Sequence, residues 1–108
     1  MSLFAELEPT DPAAFDPAEA VTRCIESGAH ALLADHGSLP PAFFDLSSGV
    51  AGAMVRRLTL YDIRMAAVVP DGTVHSTSFQ AFAREANGGR QFRFFPTRDE
   101  AIRWLDAG

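Results

Sequence analysis

The chain contains no lysine, one cysteine, one tryptophan and one tyrosine, and it has no basic run. All nine cationic side chains are arginine, set against 14 carboxylates for a net charge of −5. Nucleic-acid binding by phosphate neutralisation is therefore not expected. Missing lysine together with abundant alanine reads as GC-rich codon usage rather than chemistry. The lone Cys24 excludes an internal disulfide and suits a reducing compartment. It falls on the apolar stripe of a predicted helix, so core packing is its expected role. No apolar run approaches the ~20 residues needed to span a bilayer, so no membrane partner is expected. The N-terminal residues lack the basic start and apolar stretch of a signal peptide. The expected location is cytoplasmic. No G-x-G-x-x-G, P-loop or G-x-S-x-G pattern occurs, which removes the usual sequence grounds for a dinucleotide, a nucleoside triphosphate or a hydrolase elbow. No histidine and cysteine spacing matches a zinc signature. The sequence thus names no catalytic residue, no cofactor and no metal.

What is present alternates strand and helix signals. A chain of 108 residues is expected to form a single domain over residues 1–108 and to bury about two thirds of its unfolded surface. Leu3–Leu7 is a short first strand, followed by a proline-containing loop, Glu8–Phe15. Asp16, Pro17 and Glu19 predict a capped helix with Val21, Cys24 and Ile25 on its buried face and a stop at Gly28. Ala29–Ala34 reads as a buried strand that includes His30 as a structural histidine. A loop from His36 to Leu46 carries Phe43 and Phe44, expected to tuck under the sheet. Ser47 or Ser48 should cap the next helix, whose apolar face is Ala51, Met54, Val55 and Leu58. Gly49 and Gly52 near its start suggest close backbone approach to a sheet or ligand. Ile63–Val69 is apolar except for Arg64, as a central parallel strand would be. After Pro70, Asp71 and Gly72, Thr77 with Gln80 predicts a capping box. Phe79, Phe82, Ala83 and Ala86 predict the helix's buried face, and Asn87, Gly88 and Gly89 a left-handed stop. Gln91–Phe95 reads as an outer strand, and Thr97 with Glu100 as a capping box for a last helix packed through Ala101, Ile102, Trp104 and Leu105. The expected fold class is α/β: a mostly parallel sheet of four or five strands with about four helices and right-handed crossovers.

Ligands of open α/β sheets bind outside the carboxyl ends of the strands. That rule selects Asp35, His36 and Asp71, the helix-start hydroxyls Ser47, Ser48, Ser76, Thr77 and Ser78, and nearby Asp45. Helix starts can hold an anion, and serine and threonine are also the preferred helix caps. His36, His75, Asp45 and Asp71 could gather at this edge, but their spacing is not that of a metal site.

The ordered series Phe43-Phe44-Asp45-Leu46, Gly49, Ala51-Gly52, then Ser76-Thr77-Ser78-Phe79, Glu85, Asn87 and Gly89, then Phe94-Phe95, Glu100-Ala101 and Trp104-Leu105 resembles a bacterial domain-of-unknown-function family, number 4180. The resemblance runs from about Phe15 to Leu105 and brings no activity with it. More distantly, Asp45-Leu46-Ser47-Ser48-Gly49 is similar to the Asp-Ser-Ser-Gly loop of STAS domains, the anti-sigma factor antagonists. Ser48 would match their phosphorylated switch, with Leu46 as an inserted residue. That resemblance implies a STAS-like fold and a non-enzymatic regulatory or interaction role with a protein partner and a homodimer as its candidate assemblies. The alternative is a small-molecule or anion-binding domain. Asp45, Ser48, Asp71, Ser76, Ser78, Glu85 and Asn87 are the candidate ligand- or partner-binding residues.

Overall fold

A computed structural model of the chain describes residues 4–7, 15–70 and 75–107. The strands are β1 (Phe4–Glu6), β2 (Ala31–Ala34), β3 (Arg64–Val68) and β4 (Phe92–Phe95), and the helices are α1 (Pro17–Glu26), α2 (Val50–Leu60), α3 (Thr77–Asn87) and α4 (Arg98–Ala107). The sheet order is β1-β2-β3-β4 and every neighbouring pair is parallel. This is the expected α/β architecture with four strands and four helices among the described residues. Leu3, residues 8–14 of the first predicted loop, and Asp71 with Gly72 lie outside them.

Alternation along the strands divides the interior in two, because successive side chains point to opposite faces. On one face Leu32, Ala34, Met65, Ala67, Phe92 and Phe94 meet α1, α2 and α3. On the other, Ala31, Leu33, Ala66, Val68 and Phe95 meet α4 alone, through Ala101 and Leu105 with Ile102 and Trp104 half-buried beside them. β2 is buried along its whole length, and β3 from Met65 onward, as strands covered on both faces must be. Their four alanines leave room that phenylalanines fill. Phe43, fully buried, packs edge-on against Phe79 and tilted against Phe92. The expectation that it tucks under the sheet is met, and Phe44 beside it is half-buried.

Helices α1 and α2 end in the same hydrogen-bond pattern, the Schellman motif. The N–H of Ala29 reaches the Cys24 carbonyl and that of Gly28 the Ile25 carbonyl, while Ile63 reaches Leu58 and Asp62 reaches Thr59. The left-handed position is Gly28 (φ 82°) in one and Asp62 (φ 54°) in the other. The predicted left-handed stop at Asn87, Gly88 and Gly89 is not formed. Gly88 has φ −80°, and among the described residues the positive φ values belong to Gly28, Gly49 and Asp62.

Several predicted caps move by a residue. Ser76, not Thr77, caps α3 through its bond from the Phe79 N–H, and the Gln80 amide donates to the His75 carbonyl. Asp16 caps α1 as expected, but Glu19 pairs with Arg23 instead of closing the box. Thr97 accepts from the Glu100 N–H as a capping box requires, while the Glu100 carboxylate accepts from the Thr97 hydroxyl. Gly49, not a serine, is the N-cap of α2. His30 lies on an exposed bend ahead of β2 rather than within it, and Ile25 is exposed. The loop after β2 is not irregular: it contains three 3-10 turns, His36–Ser38, Pro41–Phe44 and Leu46–Ser48.

No neighbour lies within 4 Å of a Cβ placed on Gly49 or Gly52, so close approach is not why either is glycine. Gly49 is needed for its φ of 81°, whereas Gly52 sits in the regular first turns of α2. The two sites should respond oppositely. Gly49→Ala should lose about 1–2 kcal/mol, the cost of a left-handed L-residue, and Gly52→Ala should gain about 0.5–1 kcal/mol of helix propensity. Urea denaturation of both variants reads the two signs. Trp104 is half-buried with the Arg64 guanidinium 4.0 Å from its ring centroid. Trp104→Ala should therefore cost about 2–3 kcal/mol, below the ~3–5 kcal/mol of a fully buried aromatic, by the same measurement.

Candidate functional site

The starts of α2 and α3 and the ends of β2 and β3 meet at the carboxyl edge of the sheet. Four of the candidate residues lie there. Asp45 caps the 3-10 turn Leu46–Ser48 by accepting from the N–H and hydroxyl of Ser47. The Ser48 hydroxyl lies 2.6 Å from the Ala42 carbonyl and 2.7 Å from that of Asp45, sharing its proton between them, and accepts from the Val50 N–H. Ser76 caps α3, and Ser78 stands exposed in the first turn of that helix. The hydroxyls of Ser48 and Ser76 thus shape the backbone that carries them.

Two of the four residues expected to be able to gather at this edge, His36 and His75, do converge there. His36, two residues after β2, and His75, two residues before α3, have ring centroids 6.0 Å apart. Phe44 stacks on His75 at 4.7 Å and sits 5.0 Å from His36, and Phe79 packs 4.8 Å from His75. The Nε2 atoms of both histidines are buried without a hydrogen-bond partner among the described residues. Removal from water, with the neighbouring imidazole second, holds the His75 pKa below its ordinary value of 6.5. The adjacency of β2 and β3 is what brings the two rings together, and sequence alone does not state it. Asp45 does not join them, and among the described residues no three histidine, cysteine or carboxylate side chains gather as a metal site would need.

On the other face of the edge, Arg98 at the start of α4 bridges Glu6 at the end of β1 and Asp35 at the end of β2. These groups are about half exposed, so each pair contributes no more than about 1 kcal/mol. Cys24 is buried with its thiol 3.5 Å from the Ala31 carbonyl, and burial pushes its pKa up, which disfavours the reactive thiolate.

Glu85 and Asn87 lie at the opposite end of α3, which separates them from the other candidates by about 15 Å at 1.5 Å per residue. Glu85 is exposed on the rim of a shallow groove of about 310 Å³ with Val55, Phe82 and Arg90. Asn87 turns back on β4, its Oδ1 accepting from the Phe94 N–H at 2.7 Å. The carbonyls of Gln91 and Phe95 face β3, so alternation places the Phe94 N–H on the outer margin of the sheet. Asn87→Leu should cost about 0.5–1.5 kcal/mol, one hydrogen bond's net worth, and accelerate amide exchange at Phe94. Asn87→Asp, which keeps the acceptor, should preserve the protection.

No helix among the described residues is long and apolar enough to cross a membrane. No curated protein and no solved structure matches the chain. A family model does, over residues 12–105, and it spans both the Phe43–Gly52 and the Ser76–Gly89 segments. The chain belongs to the DUF4180 family, a domain of unknown function.

Proposed function

We propose that the chain is a non-enzymatic regulatory or protein-interaction domain, related in its fold to the STAS domains. The observation that carries this reading is the bonding of Ser48. Its hydroxyl is committed to the main-chain carbonyls of Ala42, in the preceding turn, and Asp45, at the cap of its own, and not to an imidazole or carboxylate that would activate it as a nucleophile. Ser48 is an exposed residue whose hydroxyl joins the turn Pro41–Phe44 to the start of α2, so its modification would act on the shape of the surface. A phosphate there would carry about −1.5 to −2 charges. The α2 N-terminus would favour that charge, while Asp45 and the two carbonyls would oppose it. Modification would unseat the turn more than it would disturb the helix.

Ser48→Ala and Ser48→Asp separate a switch from a structural hydroxyl. Each should lose about 1 kcal/mol of stability with the hydroxyl bond, read by thermal melting. Proteins retained from native extract by each immobilised variant are then compared by mass spectrometry. The expected result is a partner that binds the parent and the alanine variant and is lost from the folded aspartate variant. Identical partner lists for both variants would make Ser48 a turn-forming residue only.

A further inference from the structure

Burying a polar nitrogen without a partner opposes the arrangement that buries it, and the carboxyl edge carries two such atoms in adjacent rings. The Nε2 atoms of His36 and His75 are both closed off from water, so no ligand or metal can reach them in this conformation. Opening the contact would hydrate both nitrogens and allow one to take a proton. The structure therefore contains a contact held by aromatic packing and opposed by two unsatisfied nitrogens. We propose that His36 and His75 form a proton-operated latch at the carboxyl edge, whose opening releases the turn Pro41–Phe44 from the start of α3.

The surroundings fix the direction of the response. The turn Pro41–Phe44 contributes Phe44, α3 contributes Phe79, and neither side chain carries charge. Asp35 precedes His36, but its carboxylate is engaged by Arg98 at 2.9 Å. Asp45 accepts from Ser47. Asp71, four residues ahead of His75, lies outside the described residues and is controlled for by substitution. Burial disfavours charge on His75 and the neighbouring His36 adds to that, against the attraction that the ring faces of Phe44 and Phe79 offer a cation. The closed state binds fewer protons than the open one because the folded His75 pKa is depressed. Stability of the contact is complete above the ordinary imidazole range and is lost as pH falls below about 6.5 toward the depressed value. Uptake of one proton on opening limits the gain in open population to about tenfold per pH unit. The latch does not rest on modification of Ser48, although Ser48 bonds the same turn through the Ala42 carbonyl.

Amide hydrogen exchange between pH 8 and pH 5, corrected for the intrinsic pH dependence of exchange, reads the open population along the chain. The expected result is increased opening below about pH 6.5 at residues 41–48 and in the first turn of α3. Trp104 fluorescence should stay unchanged, because that residue packs on the other face of the sheet. His75→Phe, which keeps a ring and removes the titrating nitrogen, should flatten the response, His36→Phe should weaken it without abolishing it, and Asp71→Asn should leave it in place. If a phenylalanine variant fails to fold, His75→Gln serves, and it too should show no step in the imidazole range. Overturning results are a pH-independent parent, a response that survives both histidine substitutions, a response lost in Asp71→Asn, or a Trp104 change that tracks it, which would mean acid unfolding of the whole domain.

Discussion

A right-handed crossover between parallel strands places its helix on a face set by the direction of the step. All three steps here run the same way, from β1 to β4, so α1, α2 and α3 are stacked on one face. The last helix is free of that constraint because no strand follows it, and it covers the other face. The rest of the interior follows from this asymmetry. One face is filled by three helices and the Phe43 turn, the other by two buried side chains of α4 and two half-buried ones. Alanine at positions 34, 66 and 67 of the central strands brings these layers close, and phenylalanine takes up the space above them.

The strands and helices were legible because their periods are set by side chains that must be buried. Arg64 did not disguise β3, since it sits at the first residue of the strand, where its guanidinium covers Trp104 and bonds the Trp104 carbonyl. The ends were harder to read. Ser76, Thr77 and Ser78 are all good helix caps, and only the backbone decides that the first of them caps α3. Gly88 and Gly89 look like a left-handed stop, yet the stop that needs a positive φ without glycine is Asp62. Composition shows where such a conformation is cheap, not where the path of the chain requires it.

The candidate site was legible in location and not in contents. Asp45, Ser48, Ser76 and Ser78 do reach the carboxyl edge, while Glu85 and Asn87 belong to the far end of α3. The rule that places ligands at strand ends selects an edge, and it cannot pair residues until the strand order is known. His36 and His75 are 39 positions apart in the chain, and nothing in the spacing announces a contact that depends on β2 and β3 being neighbours.

The Asn87 side chain has a bearing on how copies of the sheet can add to one another. A sheet with two open margins can grow without limit, each molecule offering one edge to the other edge of the next. Here one of the two outward N–H groups of β4 is already bonded from within the molecule, so head-to-tail extension from β1 onto β4 meets a margin that has lost part of its template. The β1 margin carries no such block from the described residues. A strand added at β4 would have to displace the Asn87 side chain before its ladder could be completed.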